Sequence, residues 1–206
     1  MHQFYSALIA GVMTGLGGAA FLGAATREAG ALLFSIGMFA ALALGLPLYT
    51  GRCAGAVCHK PHNTKAMLMI LAGNLLGAIL CGLLFGYAVK SGVPQLQESK
   101  LAQTFLSTLI RGTFCGMIIF AGVQSWKSLQ SSKPLGALLG VTAFVVAGFE
   151  NSIADAFYFS AALGQGLAFD ARVPAFLAAA ILGNTLGAVL LCLAMPPFSE
   201  GTEQPA

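Results

Sequence analysis

Charge is what this chain has least of. Of its 206 residues, 8% are Asp, Glu, Lys or Arg and 57% are hydrophobic, and the mean hydropathy is +0.83. A soluble domain of this size cannot clothe its surface with so few charges, so the chain reads as an integral membrane protein. The formal net charge is only +3 and its lysines and arginines are scattered, which excludes nucleic acid as a partner. Basic residues are also missing from Met1 to Tyr5, so a cleaved signal peptide would lack its positive n-region, and the first apolar run is expected to be retained. Histidine is nearly absent: His2 is at the tip, His59 and His62 are in a loop, and none is in an apolar run. With no nucleophile–histidine pair in those runs, an enzyme is not expected. Five cysteines are an odd number, and Cys81, Cys115 and Cys192 lie in apolar stretches as small hydrophobes, so no disulfide framework is implied. Cys53, Cys58, His59 and His62 share one loop at a spacing that matches no standard zinc pattern, and neither a metal nor a cofactor is expected.

Long apolar runs are what is present. Segments near 4–25, 30–49, 66–89, 104–124, 135–163 and 173–195 have the length of membrane crossings. Two of the six are interrupted. Pro47, in Gly45-Leu46-Pro47-Leu48-Tyr49-Thr50-Gly51, removes a helical backbone donor from the second. The fifth carries Gly148-Phe149-Glu150-Asn151-Ser152-Ile153-Ala154-Asp155, in which Glu150 and Asp155 are costly in hydrocarbon and require an interior partner, a broken helix or a wet cavity. Irregular backbone at membrane depth is tolerated only where it is buried in protein or lines such a cavity. Two breaks therefore point to one central site.

An internal echo relates the halves. Leu71-Ala72-Gly73-Asn74-Leu75-Leu76-Gly77-Ala78 returns as Ile181-Leu182-Gly183-Asn184-Thr185-Leu186-Gly187-Ala188, 110 residues later, and the breaks at Gly45 and Gly148 stand 103 residues apart. Three crossings per copy is an odd number, so the second copy inserts upside down, as in many transporters. The expected fold is all-α and membrane-integral: six transmembrane helices in one domain, residues 1–206, with inverted repeats at about 4–89 and 104–195 and with the second and fifth helices broken. Asn74 and Asn184 are expected to hydrogen-bond across close helix contacts made by small residues.

Leu48-Tyr49-Thr50-Gly51, Arg111-Gly112-Thr113-Phe114-Cys115, and Phe144 to Glu150 with Ser152 together resemble the formate/nitrite transporter family, in order across all six segments. The resemblance implies an aquaporin-like fold, a homopentamer in a lipid bilayer with one pore per subunit, and conduction of a small monovalent anion or its conjugate weak acid, of the formate, nitrite or hydrosulfide type. By that resemblance Thr50 faces the pore centre, Leu48 and Tyr49 belong to a hydrophobic constriction, Phe144 narrows the pore, and Phe34 and Met38 stand opposite. Lys100 corresponds to a lysine that draws an anion in, where a lysine snorkelling to headgroups is the bland alternative. Gly148, Glu150 and Ser152 are expected to be structural at the break, with Glu150 accepting from loop amides. Arg111 is expected near a helix end, paired with a carboxylate or headgroup.

This chain departs from the family pattern at its centre. Asn151 stands where a histidine is usual, and an amide donates and accepts hydrogen bonds but cannot change charge. Pro47 and Gly116 replace an acid and an asparagine, and Asp155 replaces an amide. Thr50, Asn151 and the broken-helix amides are expected to replace an anion's lost water. A non-conducting assembly or sensing protein is the second reading, and a neutral-solute channel is the third, weakened by the absence of an Asn-Pro-Ala triplet. Arg52, Lys60, Lys65, Lys127 and Lys133 against Arg27, Lys90, Lys100 and Arg172 slightly favour cytoplasmic termini in a cell membrane.

Overall fold

The computed structural model describes residues 2–58, 63–128 and 133–195. The long helices are α1 (His2–Leu22), α2 (Arg27–Ala43), α5 (Thr64–Ala88), α7 (Phe105–Ser128), α8 (Lys133–Ala147), α9 (Ser152–Gly164) and α10 (Val173–Ala194). Between them lie two single turns, α3 (Tyr49–Arg52) and α4 (Gly55–Cys58), and a short helix, α6 (Val93–Leu101). Among the described residues four helices, α1, α5, α7 and α10, are long and apolar enough to cross a membrane, and α8 and α9, set at 58° across a short break, together have the length and apolarity of one more. Leu84, Leu106, Leu139, Leu182 and Leu193 stand outward, more than half exposed, as hydrocarbon permits and water does not. The protein is a multi-pass membrane protein. His59, His62, Lys60 and the neighbouring Pro61 lie outside the described residues, and with them half of the cysteine–histidine loop.

Glycine sets how closely the helices approach. α1 packs on α5 and α7 on α10. A Cβ on Gly77 would lie 2.0 Å from the Leu8 carbonyl oxygen, and one on Gly187 would lie 1.9 Å from that of Thr113. The backbones touch where only hydrogen fits, which is how apolar helices gain contact in a medium that gives them no hydrophobic drive to associate.

Both interruptions begin the same way. Gly45 (φ +67°) follows α2 and Gly148 (φ +73°) follows α8, each in the left-handed region that glycine adopts without a Cβ penalty. Leu46 N–H then returns to Ala41 O (2.8 Å), and Phe149 N–H to Phe144 O (3.0 Å), which closes the helix end on itself.

The two echoed asparagines hold the backbone just past each of these glycines. Asn74, fully buried, accepts from Tyr49 N–H (2.8 Å) and donates to Ala7 O (2.7 Å) and Pro47 O (3.0 Å). Asn184, equally buried, accepts from Ser152 N–H (2.9 Å) and donates to Gly112 O (2.9 Å) and Glu150 O (2.8 Å). Each amide therefore does more than cross a helix interface. It satisfies a donor and an acceptor of interrupted backbone, and so meets a requirement that hydrocarbon enforces. Gly116 lies against the backbone of α10 here, since a Cβ there would stand 2.2 Å from the Asn184 main-chain oxygen.

Candidate functional site

The breaks end at two chambers. The outer is a cavity of about 560 Å³ whose wall includes Arg27, Lys100, Arg111, Glu150, Asn151 and Asp155. Three cations face two carboxylates there, a balance that favours an anion entering. Arg27 reaches from α2 to Val145 O (3.1 Å), and Arg111 reaches from within α7 to Gly148 O (3.0 Å). Both guanidinium groups thus sit on the last carbonyls of α8, the negative end of that helix.

Lys100 comes from α6, an element absent from the sequence expectations. Its side chain is buried, with its Nζ donating to Glu150 and, at 2.8 Å, to Asp155 Oδ1. Gln103 Nε2 donates to the other Glu150 oxygen at 2.7 Å. The ammonium also lies 5.6 Å from the Tyr158 ring centroid and 5.8 Å from that of Phe176. Lys100 is therefore neither a headgroup lysine nor a free cation at a vestibule. It holds the carboxylates at the break, and its field reaches the chamber only in combination with theirs.

A pair of aromatic rings separates this space from the inner one. Phe34 on α2 and Phe144 on α8 meet edge to face, with centroids 5.8 Å apart and planes at 86°, and both line both chambers. Beyond them the inner chamber has about 20 Å³, enough for about one water. Met38, Leu48, Thr50, Asn151, Thr14 and Val141 are among its walls.

Asn151 belongs to both chambers. It is the N-cap of α9, and its Oδ1 accepts from Ile153 N–H (3.1 Å) and Ala154 N–H (3.2 Å). Two amide donors fix which end of the side chain is oxygen, so its NH2 is the group left to point away from the helix, beside the Cys115 thiol of α7. The next free amide is not available either, because Ser152 N–H is bound by Asn184. The first turn of α9 therefore offers its amides to the protein, and the hydrogen bond it can present to a ligand is a side-chain donor.

The sequence-named residues Leu48, Thr50, Phe34, Met38, Phe144 and Asn151 converge on the inner chamber. Tyr49 does not join them. Its ring packs with Ala7, Ile70 and Phe120, and its hydroxyl pairs with Thr185 Oγ1 at 2.8 Å. Consecutive positions of the turn α3 point about 100° apart, so Tyr49 and Thr50 cannot face one space. Glu150 differs from expectation too, since its carboxylate meets Lys100 and Gln103 while the loop amides go to asparagines. Arg111, expected to meet a carboxylate or headgroup near a helix end, instead meets a backbone carbonyl from inside α7. Gly148 and Ser152 stand at the break as expected, the first by its backbone and the second through Asn184. Sequence reasoning does not single out Arg27 or Gln103 for the site; a basic residue opening an apolar segment is the available signal for Arg27.

The chain is 26% identical over 178 residues to an uncharacterized transporter of Bacillus subtilis strain 168, YrhG, covering 77% of this chain and 66% of that one. It is 28% identical over 185 residues to the formate channel FocA of Escherichia coli K12, covering 76% and 65%. The chain thus spans about two thirds of the length of these curated relatives. Among solved structures, an FNT family ion channel superposes with a TM-score of 0.82 at 21% identity, covering 94% of this chain and 90% of that one. A pentameric formate channel with formate bound gives 0.75 at 23%, covering 92% of each. Their fold is this fold. The family model for formate/nitrite transporters matches residues 1–198, all but the last few residues, and the chain belongs to the formate/nitrite transporter family.

Proposed function

We propose that the chain forms a channel for a small monovalent anion or its conjugate weak acid, with formate as the type substrate and nitrite and hydrosulfide as further candidates. The observation that carries this reading is Asn151: a donor-only NH2 group, fixed by its own helix cap, at the junction of a cationic chamber and an apolar constriction. An anion drawn toward Arg27 and Arg111 would shed water before Phe34 and Phe144, and would meet the Asn151 NH2 and the Thr50 hydroxyl in exchange. Hydrated cations are opposed twice, by the charge of the outer wall and by the dry aromatic pair.

In this reading α2 with α3 and α4 is the second crossing and α8 with α9 the fifth, which gives six crossings in two inverted halves. The matched roles of Asn74 and Asn184 support it. A homopentamer is proposed from the family and from the pentameric formate channel of like fold. Termini on the cytoplasmic face fit the basic-residue count better once Lys100 is removed from the opposite side, where it is buried against carboxylates.

Stopped-flow uptake into proteoliposomes tests the function. Formate should enter at least about tenfold faster than in protein-free vesicles, a gap of about 1.4 kcal/mol in barrier, and glycerol and urea should not. Equal passage of glycerol and urea would support a neutral-solute channel, and no passage of any small anion or acid would support a non-conducting protein.

A further inference from the structure

We propose that Cys58 and Cys192 are a redox modification site, a thiol pair that a hydroperoxide converts to a disulfide, and that the bond slows passage by clamping the segment that bears Thr50. The first half stands on the thiol pair alone. The second rests on the channel reading given above.

The fold brings together cysteines that the sequence holds far apart. Cys58 is the last residue of α4 and Cys192 lies in the last turn of α10, and the two helices pack on each other. Both side chains join the apolar cluster around Tyr49, Cys53 and Ile70, and their thiols stand within hydrogen-bonding reach. Both are half-buried, so a small oxidant can meet them. The other cysteines are placed differently. Cys53 is buried and its thiol donates to Thr50 O (3.8 Å), Cys115 is buried in α7, and Cys81 on α5 lies against Gly15 of α1.

The pair is also placed to act on the pathway. The Tyr49 hydroxyl meets Thr185 on α10, and Cys192 follows Thr185 by seven residues, two turns along the same face. Tyr49 and Cys58 thus fasten the two ends of α3 and α4 to one face of α10. Between them Thr50 lines the inner chamber, whose volume of about 20 Å³ suits about one water. Formate is larger than water, so the wall must yield to pass it. A single turn such as α3 yields more readily than long helices in backbone contact, and a covalent bond at Cys58 removes that freedom.

The chemistry balances in two steps. One sulfur attacks the O–O bond of the hydroperoxide and becomes a sulfenic acid, releasing water or an alcohol. The second sulfur displaces the sulfenic oxygen, which leaves as water, and the S–S bond forms. The two thiols lose two electrons, the hydroperoxide accepts them, and both thiol protons leave on its oxygens. In the orientation proposed above this end of α10 faces the cytoplasm, where thiols are kept reduced, so the bond forms in response to oxidant.

Hydrogen peroxide on the purified protein in proteoliposomes tests both halves. Peptide mapping without reductant should find the Cys58 and Cys192 peptides joined within one chain. Formate uptake should fall at least about fivefold, a coupling of ordinary size, and return with dithiothreitol. Cys58→Ser and Cys192→Ser should keep their uptake under peroxide, whereas Cys53→Ser should respond as the wild type does. No joined peptide, or a bond to another cysteine or a second subunit, would overturn the site. A joined pair with unchanged uptake, or an equal fall in Cys58→Ser, would overturn the clamp. No formate uptake before oxidation would overturn the channel reading, and the peptide map would still decide whether the pair is a redox site.

Discussion

Asn184→Ala is expected to destabilise the fold strongly in detergent. The side chain is fully buried and makes three hydrogen bonds, and its removal leaves Ser152 N–H and the Glu150 carbonyl unpaired in the interior, while Gly112 O keeps its place in the ladder of α7. At about 1–3 kcal/mol for each of the two stranded groups, the loss is about 2–6 kcal/mol, a large part of the stability of a typical domain. Water cannot repair the damage at membrane depth, where each unmet backbone group costs more. Thermal unfolding followed by size-exclusion chromatography should show aggregation or a large drop in transition temperature. Asn74→Ala, which strands Tyr49 N–H and the Pro47 carbonyl, should behave alike. A modest shift in either variant would mean that the breaks hold themselves and that the amides are packing residues.

Phe144→Ala should change selectivity more than rate. The ring is 3% exposed and stands edge-on to Phe34, so truncating it joins the two chambers through a gap the size of the lost ring. Truncating a buried phenylalanine ordinarily costs about 3–5 kcal/mol, less where water can fill the space. The ratio of acetate to formate uptake should rise at least about tenfold, since one methyl group is excluded by size at the constriction and is otherwise worth about 1–3 kcal/mol. An unchanged ratio in a folded variant would place the narrow point elsewhere.

Much of the fold is legible in the sequence because hydrocarbon reads sequence coarsely. The apolar runs fall on helices α1, α2, α5, α7, α8, α9 and α10, and α2 and α8 end where Gly45-Leu46-Pro47 and Gly148-Phe149-Glu150 stand. Thr50, Asn151 and Phe144 converge because the segments that follow α2 and α8 turn toward one small cavity. What stays hidden depends on contacts across long separations or on direction. Lys100 lies 50 residues from Glu150 and on a short polar helix with no membrane signature, so its burial between two carboxylates is visible only in three dimensions. Tyr49 shows the second kind of loss. A motif names four adjacent residues, but the helical turn that carries them sends neighbouring side chains to different faces.

The measurement that bears most directly on the passage of the anion is formate uptake by Asn151→Asp. Aspartate keeps the oxygen that caps α9 and is as good a cap as asparagine, so the fold should survive with a similar unfolding temperature. It replaces the NH2 donor at the junction of the chambers with a second oxygen and a negative charge. Uptake of formate should then fall to the level of protein-free vesicles. A folded Asn151→Asp protein that carries formate as fast as the wild type would contradict the claim that the anion passes this amide.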